Sequence, residues 1–90
     1  MIRAHLFISG RVQMVLFRAS TQRKAKKFGV KGFVKNLPDK RVEVVIEGEQ
    51  ENVQKLIEWC RKGPMLAKIK DVAVTQENYT GEFNKFSILY

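Results

Sequence analysis

The residue with the clearest chemical demand is Arg18. It falls in the first turn of a helix whose less polar positions, Phe17, Thr21, Ala25 and Phe28, recur every three or four residues. Unpaired N–H groups already place partial positive charge at that end, so a cation there costs about 0.3–1 kcal/mol unless an anion answers it. From Met1 to Pro38 there is no Asp or Glu. The loop from Gly10 to Leu16 precedes the helix and carries Arg11. Loop amides, a helix N-terminus and a guanidinium fork make a site for an oxyanion, and phosphate matches such donors best. The bland alternative is an Arg18 that points into water or pairs with an acid from a distant strand, such as Glu43 or Glu47. On the residues alone the two readings are evenly matched.

The elements that must position this loop follow from the apolar patterning. Ala4, Leu6 and Ile8 alternate through Arg3 to Ser9, a half-buried strand. The first helix covers Phe17 to Phe28 and stops at Gly29. Val30 to Leu37 and Arg41 to Glu47 form a hairpin about Pro38-Asp39-Lys40. Glu49 to Lys62 carries Val53, Leu56, Ile57 and Cys60 on one stripe, acids in its first turn, bases in its last, and Gly63-Pro64 beyond. Ile69 to Thr75 and Phe83 to Leu89 complete the strands. The order predicts a single α+β domain over residues 1–90, a ferredoxin-like sandwich of βαββαβ type with a C-terminal strand added. Two helices lie on one face of a mainly antiparallel sheet of four to five strands. That fold hosts many functions and settles none.

Composition narrows the field. Ninety residues make one domain, burying roughly 60–65% of the surface its unfolded chain exposes, so any site is a surface loop rather than a cleft between domains. Hydrophobic residues are 44% and charged residues 29%, ordinary for a folded domain, and no apolar run can span a bilayer. The N-terminal sequence lacks the pattern of a secretory signal, which predicts a cytoplasmic location. One cysteine, Cys60, and one histidine, His5, give no internal disulfide and no zinc cluster, and no metal or other cofactor is expected. Cys60 reads as a buried apolar group, His5 as a sheet residue and Trp59 as cover for a core edge. The net charge of +8 is uneven: up to Arg41 there are eleven bases and one acid, and from Val42 onward six bases and eight acids. A basic half attracts phosphate, nucleic acid or an anionic surface.

Longer motifs weigh on that choice. Gly10-Arg11-Val12-Gln13-Met14-Val15-Leu16-Phe17-Arg18 is followed by Gly32-Phe33-Val34-Lys35-Asn36, then by Val42-Glu43-Val44, Glu47-Gly48, Gly63-Pro64 and a terminal Phe86-Ser87-Ile88-Leu89-Tyr90. Across essentially its whole length the chain resembles the acylphosphatase family, whose signature is G-R-V-Q-G-V-x-F-R and then G-W/F-V-x-N. The resemblance implies hydrolysis of small acyl phosphates to a carboxylate and inorganic phosphate, without metal or covalent intermediate, by a monomer that also binds phosphate or sulfate. It implies a phosphate cradle from Arg11, Val12, Gln13, Met14 and Val15, with Arg18 as the catalytic arginine and Asn36 orienting the attacking water. An amide is no strong base; Asn36 would accept a hydrogen bond from water and fix its line of attack.

Two positions depart from the family pattern. Met14 replaces the central loop glycine, where a left-handed backbone would cost a side chain about 1–2 kcal/mol, and where bulk would crowd the cradle. Leu16 occupies a variable position, often glycine, and is expected to matter less. Lys40 also stands where the family usually has a turn glycine. The alternative reading is therefore an acylphosphatase-like domain that binds phosphate or a partner without turnover. Lys31-Gly32-Phe33-Val34 resembles the start of an RNA-recognition signature, but Val34, Lys35 and placement on the second strand break the stacking platform, so specific nucleic-acid binding is not expected.

Overall fold

The computed structural model describes residues 1–90 and contains β1 (Ile2–Arg11), α1 (Phe17–Phe28), β2 (Lys31–Asn36), β3 (Val42–Gly48), α2 (Gln50–Lys62), β4 (Lys68–Glu77) and β5 (Phe86–Leu89). One sheet takes the order β4-β1-β3-β2-β5, antiparallel throughout except for the β2–β5 pair, which is parallel. β1 and β2 run in the same direction with β3 between them, and β3 and β4 likewise flank β1. The chain is thus two split βαβ units, the ferredoxin-like sandwich its patterning predicts. No helix is long and apolar enough to cross a membrane.

Alternation on the strands decides what each face does. Ala4, Leu6 and Ile8 of β1 face Ile46, Val44 and Val42 of β3 across the ladder, all buried, and Val34 of β2 and Phe86 of β5 extend the same layer. α1 packs over β2 and β5, and α2 over β4, β1 and β3. Val53, Leu56, Ile57 and Cys60 supply the inner stripe of α2. The two helices meet where Phe17 packs against the half-buried Trp59, with ring centroids 5.6 Å apart. Cys60 is a fully buried thiol, and burial pushes its pKa up to about 12.

The other face of the sheet is polar. Arg3 reaches Glu77 at 2.9 Å, Glu47 at 3.1 Å and Glu82 at 2.6 Å. His5 Nδ1 lies 2.8 Å from Glu77 and Nε2 2.6 Å from Glu43. Glu47, almost wholly buried, also accepts from the amides of Thr80 and Gly81 and from the Thr80 hydroxyl.

Element ends differ from the expected ones for identifiable reasons. β4 extends to Lys68 and Glu77 because β1 runs from Ile2 to Arg11 and pairs along its length, Arg3 with Glu77 and Arg11 with Lys68. β5 begins at Phe86 rather than Phe83. Glu47 captures the Thr80–Gly81 turn and draws the following segment over the polar face, where the Phe83 ring packs on Phe33 at 6.1 Å and under the Arg3 guanidinium at 5.3 Å. Glu49 caps α2 rather than belonging to it.

Candidate active site

Gly10 starts the site. The β1–β4 register shifts between Ser9 and Gly10, and Gly10 has φ +122°; a Cβ there would sit 2.1 Å from the Lys68 carbonyl oxygen. Only glycine fits this bulge, which turns the chain out of the sheet and into the loop that runs to α1.

From Val12 through Ala19 no backbone N–H donates to another backbone carbonyl; the first bond of α1 runs from Ser20 N–H to the Leu16 carbonyl. Leu16 provides no side-chain cap, and the first turn of α1 contains no acid. Loop and helix N-terminus therefore leave a continuous run of backbone N–H groups without a backbone partner. Arg18 adds its guanidinium. Of the two sequence-based alternatives for Arg18, pairing with a distant acid is excluded: Glu47 is held by Arg3 and Glu43 by His5, and Arg18 has no carboxylate within ion-pair distance. Its guanidinium instead stacks over the Tyr90 ring, 4.8 Å from the centroid, a contact that restrains the head group without neutralising it.

Asn36, the last residue of β2, lines the same pocket as Arg18, Val12, Met14 and Leu16. Its Oδ1 is buried and accepts no hydrogen bond from the protein. A buried acceptor without a partner costs about 1–3 kcal/mol, which marks a group kept for something other than stability. The pocket holds about 330 Å³ and opens to the surface.

The remaining predicted cradle residues contribute differently. Arg11 ends β1 with an exposed side chain outside the pocket lining, and Val15 is buried in the core, so what Val15 can offer an anion is backbone. Gln13 turns its amide away from the pocket and donates from Nε2 to the carbonyls of Leu37 and Arg41, both at 2.9 Å. It joins the loop to the hairpin that carries Asn36. Its carbonyl partners leave no trace in a sequence, whereas Tyr90 and its place beside Arg18 could have been sought in the terminal Phe-Ser-Ile-Leu-Tyr run.

Met14 has φ +60° and Leu16 φ +63°, so both lie in the left-handed region. Each side chain costs the backbone about 1–2 kcal/mol there, so Leu16 carries the same conformational cost as Met14. Met14 does not fill the cradle. Its side chain is fully exposed and stands on the rim of the pocket.

Comparison with known proteins bears on this geometry. The family model described as Acylphosphatase matches residues 4–88. The chain is 53% identical over 90 residues to an acylphosphatase of Roseiflexus sp., covering all of this chain and 97% of that one. It is 50% identical to that of Syntrophus aciditrophicus, over all of this chain and 94% of the other. The crystal structure of acylphosphatase from Bacillus subtilis superposes with a TM-score of 0.96 at 36% identity, covering both chains completely.

Proposed function

The chain belongs to the acylphosphatase family, and from that premise we propose that it hydrolyses the carboxyl-phosphate bond of small acyl phosphates with Arg18 and Asn36 as its catalytic residues. The observation that carries the assignment of roles is the coincidence, in one pocket, of unspent backbone donors, an unpaired guanidinium and an unpaired buried amide oxygen. Amides from Val12 to Ala19 and the Arg18 guanidinium hold the three phosphoryl oxygens. A water accepted by Asn36 Oδ1 is fixed in line with the bond to be broken.

The water oxygen forms a bond to phosphorus as the bond from phosphorus to the acyl oxygen breaks. The electron pair leaves on the carboxylate, and both water protons remain with the phosphate, which is released as dihydrogen phosphate. A carboxylate leaves without protonation near neutral pH, because its acid ionises around pH 4. No general acid is needed for such a leaving group. Donors aimed at the phosphoryl oxygens stabilise the charge that builds there, and the helix N-terminus adds its partial charge.

The test is hydrolysis of benzoyl phosphate by the parent and by Arg18→Ala and Asn36→Ala. Arg18→Ala is expected to lower kcat/KM by about 10²–10³-fold, the usual cost of one preorganised donor. Asn36→Ala is expected to lower kcat with little change in KM, since water rather than substrate loses its anchor. Full activity in both variants would overturn the assignment of roles. A phosphate- or partner-binding domain without turnover, the alternative raised by Met14, predicts an inactive parent.

A further inference from the structure

The rim of the pocket carries side chains at positions where the backbone would favour having none. Met14 and Leu16 both adopt left-handed φ, and both are exposed, at 101% and 72%, so neither recovers the backbone cost by packing in the core. Strain retained without packing in return points to work done by the side chain itself. Both line the pocket that holds Arg18 and Asn36, together with Ile88 and Tyr90. Arg18 carries the only charged side chain lining it. Once that guanidinium and the amides hold the phosphoryl group, no cation of the lining remains for an acidic or phosphorylated acyl chain, while apolar surface is plentiful.

We propose that Met14 and Leu16, with Ile88 and Tyr90, form an acyl subsite that selects acyl phosphates with apolar, above all aromatic, acyl groups. The inference rests on the acylphosphatase reading and deepens it. Methionine suits such a wall, since its flexible thioether adapts to a ring and makes favourable sulfur–aromatic contacts. The tyrosine ring offers a flat partner for an aryl group. Selectivity then rests in part on Met14 and Leu16, the two positions that depart from the family pattern, while the phosphoryl group is held by the loop amides and Arg18.

The experiment compares kcat/KM for benzoyl and acetyl phosphate in the parent, Met14→Gly and Leu16→Gly. The expected parent ratio favours benzoyl phosphate by about tenfold or more, and each substitution lowers that ratio by about threefold to tenfold, the scale of a few lost methylene contacts. The ratio is the readout, so a general change in rate from altered loop geometry divides out. Calorimetric binding of benzoylphosphonate and acetylphosphonate, in which P–C replaces the cleaved P–O bond, reads the same preference without turnover. A parent that hydrolyses both substrates with no preference, or a preference that survives both substitutions, overturns the acyl subsite and leaves the function standing. A parent that hydrolyses neither overturns the function; phosphonate binding with no aromatic preference then overturns the subsite as well.

Discussion

Three non-glycine residues hold left-handed backbone, Met14, Leu16 and Lys40, and they separate into two kinds. Lys40 sits in the turn between β2 and β3 and is exposed, so its strain serves a connection. Replacing it with glycine removes about 1–2 kcal/mol of strain but adds about 0.4–1 kcal/mol of unfolded-state entropy. Lys40→Gly is expected to gain about 0.5–1 kcal/mol, seen as a higher urea midpoint at unchanged slope, with hydrolysis of benzoyl phosphate unaltered. A lower midpoint would mean that the Lys40 side chain stabilises the turn more than its backbone strains it. Met14 and Leu16 carry the same strain beside the pocket, where glycine would relax the loop and strip the rim. Arg18 was legible as a charge at the wrong end of a helix, but the residues alone left it open whether an anion or a distant carboxylate answered it. The carboxylates proved to be spoken for on the far face of the sheet. Asn36 became legible only through motif spacing, because nothing about a lone asparagine at a strand end announces an unpaired oxygen.

Between elements, the site depends on keeping one loop against one hairpin. The amides proposed to hold phosphate belong to the β1–α1 connection, Asn36, proposed to orient water, ends β2, and Gln13 is the side chain that ties the loop to the hairpin. Its two donated bonds satisfy the Leu37 and Arg41 carbonyls at the hairpin mouth, where Leu37 N–H also bonds back to Arg41. Gln13→Leu keeps comparable bulk and removes both donors. It is expected to cost about 1–2 kcal/mol in stability and to lower kcat about tenfold or more, because Asn36 and the cradle no longer share a fixed spacing. Denaturation and steady-state kinetics on one sample check both; a stability loss with kcat intact would confine Gln13 to the fold. The element order was readable because apolar periods of two and of three to four residues alternate along the chain. Strand ends were not readable: β4 gains its length from pairing with β1, and β5 loses its start because Glu47 captures the Thr80–Gly81 turn. Those are contacts between residues far apart in sequence, which local patterning does not carry.

Across the whole molecule the sheet divides the charges. One face builds the core, and the other gathers Arg3, His5, Glu43, Glu47, Glu77 and Glu82 into a network joining β1, β3, β4 and the segment before β5. The network also ties stability to pH in a definite sense. Burial lowers the affinity of His5 for its proton, but the bonds to Glu77 and Glu43 outweigh it and raise the pKa above the ordinary 6.5. The native state then holds a proton that the unfolded chain has released. This contribution is complete below pH 6.5 and is lost as pH rises through the folded value. Glu77 runs the other way: Arg3 first, then His5, hold its carboxyl below the ordinary 4.5, so its contribution is present above that value and is lost as pH falls through the lowered one. Within this network stability should peak between 4.5 and 6.5. Thermal unfolding of the parent and of His5→Gln from about pH 5 to about pH 9, a range above the Glu77 transition, isolates the His5 contribution. The excess Tm of the parent over His5→Gln is expected to be largest near pH 6 and to shrink steadily above it. A difference that stays constant across that range would show that His5 stabilises by packing on Phe7, whose ring centroid lies 4.7 Å from its own, rather than by its charge.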